Sequence, residues 1–411
     1  MRLKHLHYGW VMVIMSDCIL VMHALVLYAF GVFLVPLTAE FGWERGALSG
    51  AFSMFMLMSG LFAILSGRLS DKYGPRILVT LNGLLTGIGF FLMSQINSLW
   101  QVYLVWGLFM GIGISCCFIP ITSTIPRWFA KKRGIAIGLT FAGIGLGGII
   151  SPPLVQWLIS TSGWRQAYLI LGLAILIVVI PLAQFLKHSP QRVGLKPYGE
   201  SEDIEDKQSL ASAVEGLSLT QVIKTSRFWI LGSILFCCFL CVQVIIVHII
   251  PHAIDIGISP IIAASITSII AGCSVIGGLS TGFISDRIGG RLLLIACISS
   301  AALALLWLLF AKEIWMLYIF AVIFGVGLGG IGPLQVVVSA ELFGIGSLGM
   351  IFGGLALFIT VGAALGPPLA GSIFDIAGSY SLAFLICVII GVLAIILSLI
   401  LLKARGWGGG D

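Results

Sequence analysis

Charge is scarce in this chain. Lys, Arg, Asp and Glu make up 9% of its 411 residues, where an ordinary soluble domain carries roughly 25%, so a hydrated surface around one compact core is excluded. A disulfide framework is missing as well. All nine cysteines (Cys18, Cys116, Cys117, Cys237, Cys238, Cys241, Cys273, Cys297 and Cys387) lie in apolar segments, without the spacing of a zinc site or an extracellular scaffold. Motifs of soluble enzymes are present only as letters. GIGLGG from Gly143 and GVGLGG from Gly325 satisfy G-x-G-x-x-G, and GLSTG from Gly278 satisfies G-x-S-x-G, but each sits inside an apolar run with no strand before it. Glycines so placed pack membrane helices. An enzyme is not expected, and neither is a cofactor or a metal.

What fills the chain is apolar: 59% hydrophobic residues and a mean hydropathy of +1.14. About 20 such residues cross the hydrocarbon core as a helix. Segments of that kind lie near residues 9–33, 47–67, 77–96, 101–124, 134–158, 166–186, 227–249, 261–283, 292–311, 315–338, 347–372 and 381–402. Twelve spans define an all-α polytopic membrane protein whose partner is the lipid bilayer, and an even count puts both termini on one side. The positive-inside rule makes that side cytoplasmic. With this orientation 19 of the 22 basic residues are inside, and Arg45, Arg165 and Lys312 are outside. The net charge of +6 then reflects topology, and nucleic-acid binding is not needed to explain it. Arg2 and Lys4 precede a run too long for a signal peptide and lacking a small-residue cleavage site, so it reads as a retained first span. Compact loops and short tails point to a bacterial inner (plasma) membrane and to a monomer.

The two halves repeat. GRLSDKYGPR from Gly67 returns as GFISDRIGGR from Gly282, placing Asp71 and Asp286 215 positions apart. ISPPL around Pro152 answers LGPPL around Pro367 at the same offset, and Trp128-Phe129 answers Leu342-Phe343 at 214. The implied organisation is an N-terminal six-helix bundle over 1–186, a cytoplasmic linker over 187–226, and a C-terminal six-helix bundle over 227–411. The linker holds Glu200, Glu202, Asp203, Glu205 and Asp206 and reads as a solvated connection.

Twelve spans in two parallel halves, each with this motif after its second span, resemble the major facilitator superfamily over essentially the whole chain. Its loop pattern G-x-L-x-D-R-x-G-R is matched at Gly67, Leu69, Asp71, Gly74 and Arg76, with Lys72 for the usual arginine; the second copy keeps Gly282, Asp286, Arg287, Gly289 and Arg291. The resemblance implies two pseudo-symmetric six-helix bundles and a gate of Asp71, Arg76, Asp286 and Arg291 that holds the cytoplasmic side shut in the outward-facing state. FGVFLVPLTAEFGWERGALS from Phe30 and RWFAKKRGIAIGLTFAGIGLGG from Arg127 are similar to the monocarboxylate transporter group and its bacterial relatives, including oxalate and formate exchangers. That likeness implies secondary active transport of a small organic solute, a monocarboxylate or related anion, by proton symport or exchange through alternating access.

By the same resemblance, the first, fourth, seventh and tenth helices line the solute path. Their candidate contacts are Asp17, His23 and Tyr28, then Phe118 and Thr122, then Gln243 and His248, then Gln335 and Ser339. The group also carries an arginine in the eighth helix, with an acid four positions earlier, and some members a lysine in the first. Here Gly278 stands for the arginine, Ser274 for the acid, and Tyr28 near the lysine. A buried carboxylate needs a paired charge or several hydrogen bonds. What remains to hold an anion is a protonated His248 or His23, or helix termini unwound at glycine and proline. An apolar wall with Asp17 suits a neutral or weakly cationic amphipathic solute, and a non-transporting sensor on the same scaffold is a further alternative. Asp17 itself has three readings: a proton or solute group, a hydrogen-bonded structural acid, or a residue near the rim. Six positions from His23, it lies about 120° round the helix and is not expected to pair with it. His248 and His252 share a helical face with Asp255 just beyond, which suits an outer gate or plain interface histidines better than a metal. Glu341 is expected to make a surface or latch contact.

Overall fold

A computed structural model of the chain describes residues 7–199, 219–344 and 348–403, side chains at 219, 282, 283, 286, 348 and 349 excepted. Twelve long helices occupy the expected spans: α1 Tyr8–Phe41, α2 Arg45–Tyr73, α3 Pro75–Met93, α4 Leu99–Trp128, α5 Arg133–Ser162, α6 Trp164–Ala183, α7 Ser226–Asp255, α8 Pro260–Ile288, α9 Gly290–Leu308, α10 Ile314–Phe343, α11 Leu348–Ala377 and α12 Ser381–Lys403. Each is long and apolar enough to cross a membrane. Many outrun the apolar segment that announced them, because an unbroken run marks only what must sit in hydrocarbon while backbone hydrogen bonding continues beyond it. The acidic linker cluster at 200–206 lies outside the described residues.

Glycine sets the shortest turns. Gly74 between α2 and α3 and Gly289 between α8 and α9 both have φ +85°, a backbone region that residues with a Cβ rarely enter. Asp71 therefore belongs to the last turn of α2, and the loop proper is Gly74 alone. Proline doublets Pro152-Pro153 and Pro367-Pro368 lie within the continuous helices α5 and α11. Each proline lacks an N–H and leaves a carbonyl one turn earlier without its helical donor. For Pro368 that carbonyl is Ala364 O, and the Ser53 hydroxyl of α2 donates to it at 2.5 Å.

The chain divides into two compact units. One is Met1–Trp43 with Met54–Ser209; the other is Glu44–Ser53 with Leu210–Asp411. The first ten residues around the start of α2 thus belong with the C-terminal helices, although the sequence repeat places them in the N-terminal bundle.

Inside each unit the same helix pairs meet at small residues. In the first, a Cβ on Gly147 of α5 would stand 2.6 Å from the Val21 carbonyl oxygen of α1; in the second, Gly362 of α11 lies as tightly against the Phe236 carbonyl of α7. Both members of that contact are 215 positions apart. Gly111 of α4 meets Phe55 O of α2 at 2.9 Å, and Gly325 of α10 meets Ile270 O of α8 at 2.6 Å. The third contact exchanges its partners: Gly87 of α3 faces Leu176 of α6, whereas Ala302 of α9 faces Gly391 of α12. Lipid tails are as apolar as leucine, so helices in a bilayer associate through close backbone packing, and glycine permits it. Aromatic side chains fill the wider spaces. Phe33 stacks on Tyr168 at 3.7 Å, and the buried Trp106 sits among Phe30, Phe55 and Phe90. Around Trp106, α4 widens into a π-helical stretch over Tyr103–Met110.

The α8–α10 contact is the tightest. Gly277 faces the Val326 carbonyl, and Gly329 faces the backbone of Ser274 from Cα to oxygen. Gly329→Ala is expected to lower the thermal unfolding midpoint in detergent by an amount equivalent to about 1–3 kcal/mol of overpacking. Gly138→Ala, at an α5 position with no neighbouring atom within 4 Å, should leave the midpoint unchanged or raise it. Equal effects of the two substitutions would remove the packing argument.

Candidate functional site

In the first unit, α1 and α4 bring His23 and Phe118 together. Their rings stack at 6.3 Å with 29° between planes, and Phe118 meets Phe141 of α5 edge-on at 5.5 Å. His23 is 8% exposed, and its Nδ1 has no hydrogen-bond partner among the described residues. Thr122 donates back to the Phe118 and Ile119 carbonyls at 2.9 and 3.2 Å, so its hydroxyl hydrogen is used locally. Asp17 is half-buried where Gly143 of α5 packs onto its backbone, and Tyr28 is half-buried further along α1.

In the second unit, Gln243 of α7 has its Oε1 buried with no hydrogen-bond partner among the described residues, and the same holds for Ser339 Oγ of α10. Gln335 is half-buried on the same helix as Ser339. His248 differs from these. It is fully buried, with Nε2 at 2.8 Å from Pro367 O and Nδ1 at 3.0 Å from the Tyr380 hydroxyl. A cavity among α7, α9, α10 and α12 is lined by Cys237, Cys238, Cys241 and apolar side chains and includes none of the candidate residues.

Gly278, where the resemblance implies an arginine, faces α10. A Cβ there would lie 3.1 Å from the Gly329 carbonyl oxygen. The missing cation is therefore part of the close α8–α10 contact, and Ser274 turns its hydroxyl back to Ala271 O at 2.7 Å.

Charge collects at the helix ends. At the Gly74 end of the first unit, Arg127 donates to Asp71 at 2.7 Å and to His188 Nε2 at 3.1 Å. Arg76 donates to Gln184 Oε1 at 2.7 Å. The corresponding end of the second unit reverses the sign. Glu341, 214 positions after Arg127, accepts from Gly290 N at 2.9 Å and pairs with Arg291 at 3.3 Å. The Asp286 side chain lies outside the described residues. At the opposite end of the first unit, Glu40 pairs with Arg165 and accepts from Trp164 Nε1.

The far end of the second unit carries a network that reading by motif did not assemble. Arg45 grips Asp255 with both terminal nitrogens, at 2.6 and 2.9 Å, donates to the Tyr380 hydroxyl at 2.9 Å, and lies over the Phe374 ring at 3.8 Å. Asp375 caps the start of α2, accepting from Arg45 N at 2.9 Å and Gly46 N at 2.7 Å. The 215-residue offset carries a signal for this network, since it pairs Glu40 with Asp255 and Arg165 with Tyr380.

The family model of the Major Facilitator Superfamily matches residues 18–281 and 246–406. The chain belongs to that superfamily. Monocarboxylate transporter 13 of Rattus norvegicus is 29% identical over 92% of this chain and 85% of its own length. Monocarboxylate transporter 12 of Homo sapiens is 27% identical over 92% and 78%, and the MFS-type transporter opdF of Penicillium oxalicum (strain 114-2 / CGMCC 5302) 30% over 89% and 83%. The crystal structure of a bacterial homolog to the human lysosomal transporter Spinster, inward-facing and unoccupied, superposes with a TM-score of 0.76 at 18% identity, covering 98% of this chain and 99% of that one. The all-α fold of twelve membrane helices is that of this superfamily. Its members are transporters, not enzymes, and this one is an integral membrane protein that carries a small-molecule solute.

Arginine can only donate, so His188 Nε2 accepts from Arg127 in the neutral imidazole. Burial, helped by Arg192 and Arg127, holds the His188 pKa below its ordinary value. A histidine depressed in the folded state contributes stability above its unfolded pKa, near 6.5, and loses it as pH falls towards the folded value. The unfolding midpoint should therefore drop between about pH 7 and 5 more in the unsubstituted protein than in His188→Asn. The reverse ordering would contradict the assigned tautomer.

Proposed function

We propose that this superfamily member is a secondary active carrier for a small organic anion of the monocarboxylate class, working by alternating access with proton symport or exchange. Support for solute contacts within each unit comes from buried polar atoms with no hydrogen-bond partner among the described residues, His23 Nδ1 in the first and Gln243 Oε1 and Ser339 Oγ in the second. Buried polar groups are nearly always satisfied, and three candidates left open on α1, α7 and α10 suit hydrogen bonds to a passing solute. Asp17, Tyr28, Phe118, Thr122, His248 and Gln335 complete the proposed set. Support for the carboxylate class comes from end-to-end likeness to proteins named monocarboxylate transporters.

The gate reading for Asp71, Arg76, Asp286 and Arg291 is supported by the ion pairs Asp71–Arg127 and Arg291–Glu341 at the motif-bearing helix ends. We place that end and both termini in the cytoplasm on the distribution of basic residues. A plasma membrane and a monomeric carrier belong to the same reading. Its bacterial form rests on the compact loops, since the curated relatives above are eukaryotic.

A second reading has a specific observation behind it. With Gly278 packed on the Gly329 backbone and Asp17 as an intramembrane acid, a neutral or weakly cationic amphipathic solute fits the local chemistry. Proteoliposomes loaded separately with labelled lactate, labelled oxalate and a labelled lipophilic cation separate the two. The first reading predicts accumulation of a carboxylate under an inwardly acid-driven gradient; cation movement with no carboxylate uptake would replace it with the second. A carboxylate that binds should also raise thermal stability, by about 2.7 kcal/mol at a hundredfold excess over its Kd. Asp17→Asn is expected to alter the pH profile of uptake, and an unaltered profile would take Asp17 out of coupling.

A further inference from the structure

The Arg45 network has a fixed direction. Pro367 O can only accept, so His248 Nε2 carries a hydrogen and points it there at 2.8 Å. Nδ1 is then the lone-pair nitrogen, and the Tyr380 hydroxyl at 3.0 Å donates to it. The Tyr380 oxygen in turn accepts from Arg45 Nη1 at 2.9 Å, and the same Nη1 donates to Asp255 at 2.6 Å. Burial pushes the Tyr380 phenol well above its ordinary pKa, so its hydrogen stays on. Guanidinium, phenol, imidazole and proline carbonyl thus form one line of donors and acceptors in which each hydrogen has a place.

While the network is closed, its surroundings work against a second proton on His248, because the imidazole is fully buried and the charge next along the line of bonds is the Arg45 guanidinium. Around the imidazole, α2 contributes Ser49, 3.5 Å from Nε2, and Arg45 beyond Tyr380; α11 contributes Pro367 O; and Tyr380 precedes α12, while His252 and Asp255 lie one and two turns further along α7 and Asp375 further along α11. Both carboxylates are already engaged, Asp255 by the Arg45 side chain and Asp375 by the Arg45 and Gly46 backbone N–H groups. His252 lies edge-on to Tyr380 at 6.1 Å, and its Nε2 has no hydrogen-bond partner among the described residues.

Comparison with the first unit shows what changed. There an acid and a base, Glu40 and Arg165, close on each other directly. At the equivalent positions the second unit keeps the acid, Asp255, but has Tyr380 for the base. The guanidinium comes instead from Arg45, on the stretch Glu44–Ser53 that belongs to this unit although it starts α2. The equivalent of His248 in the first unit is Phe33, which stacks on Tyr168 and has no proton to exchange. A direct ion pair in one unit corresponds, in the other, to an ion pair linked through Tyr380 to an imidazole.

We propose that His248 is a proton-binding site, and that its protonation loosens the attachment of Glu44–Ser53 to the second unit by disturbing the Arg45–Tyr380–Asp255 contacts. A proton on Nδ1 occupies the lone pair that Tyr380 donates to. The new N–H points at the Tyr380 oxygen, the phenol hydrogen turns away, and the acceptor within its reach is the Asp255 carboxylate that shares Arg45 Nη1. Arg45 loses its bond to Tyr380, shares Asp255 with a competitor, and faces an imidazolium across one oxygen atom, where low dielectric magnifies like-charge repulsion. The only covalent bond made is Nδ1–H, with its proton taken from water and returned there on deprotonation. The inference deepens the proton-coupled part of the proposed function but is independent of which solute is carried.

Backbone hydrogen exchange of the peptide spanning 43–53, in protein reconstituted in lipid nanodiscs and corrected for the chemical exchange rate at each pH, reads the attachment without any transport. Protection should stay level above about pH 7 and fall below about pH 6.5, the ordinary imidazole value, by up to about tenfold per pH unit, the limit for one linked proton. His248→Gln, whose amide can donate to Pro367 O and accept from Tyr380, should hold the high-pH protection throughout. Should that variant fail to fold, Tyr380→Phe decides: it leaves His248 and Arg45 in place but cuts the link, so protection of 43–53 must lose its pH dependence. Unchanged pH dependence in either variant, or none in the unsubstituted protein, overturns the proposal. Proton-driven uptake in proteoliposomes alongside flat protection would spare the carrier reading and eliminate the latch; pH-dependent protection lost in His248→Gln would support the latch even where no carboxylate is taken up.

Discussion

Close approach of helix backbones through glycine is the constraint on which the rest of this structure depends. A bilayer offers no hydrophobic gain for bringing two helices together, so each unit is held by places where a missing side chain lets one backbone reach another. Gly147 on Val21 and Gly362 on Phe236 are the same contact made twice, 215 residues apart. Where Gly87 faces Leu176 but Ala302 faces Gly391, the small residue has moved to the other helix of the pair. What the duplication retains is the shared volume of two facing positions, not the residue at either one.

Charged contacts at the helix ends have diverged more freely, because water there tolerates either sign and exposed ion pairs contribute little. Arg127 grips Asp71 in the first unit, while Glu341 in the corresponding place grips Arg291 and the start of α9. Each solution ties the end of the fourth helix of its half to the turn set by Gly74 or Gly289. The sign of the charge is free once a polar partner survives across the turn.

The sequence was most legible where composition alone decides. Twelve apolar runs give twelve helices, since hydrocarbon admits no other backbone for segments of that length. The turns were legible through Gly74 and Gly289, whose φ of +85° explains why the motif has glycine there. Site chemistry was legible only as an inventory: His23 could be named as a buried polar residue, but not that Phe118 stacks on it. The Arg45 network was hidden for a physical reason. Its members come from the start of α2, the end of α7, the end of α11 and the first residue before α12, and nothing in local spacing announces a contact spanning 335 positions, as between Arg45 and Tyr380. Only the repeat offset, which aligns Glu40 with Asp255, could have marked Asp255 as an acid awaiting a partner.

The absent arginine at Gly278 and the tight α8–α10 contact are one fact seen from two sides. The first side-chain carbon at 278 would start 3.1 Å from the Gly329 carbonyl oxygen, so that carbonyl would have to give by about a few tenths of an ångström. Moving α10 away would also open the contacts at Gly277 and Gly325, which are tighter still. Restoring the cation tightens this contact and adds a desolvated charge that then needs its own acid, and Ser274 supplies none. A carboxylate near 278 meets no fixed positive charge from that position, so hydrogen-bond donors or a proton taken up for the purpose would have to take its place.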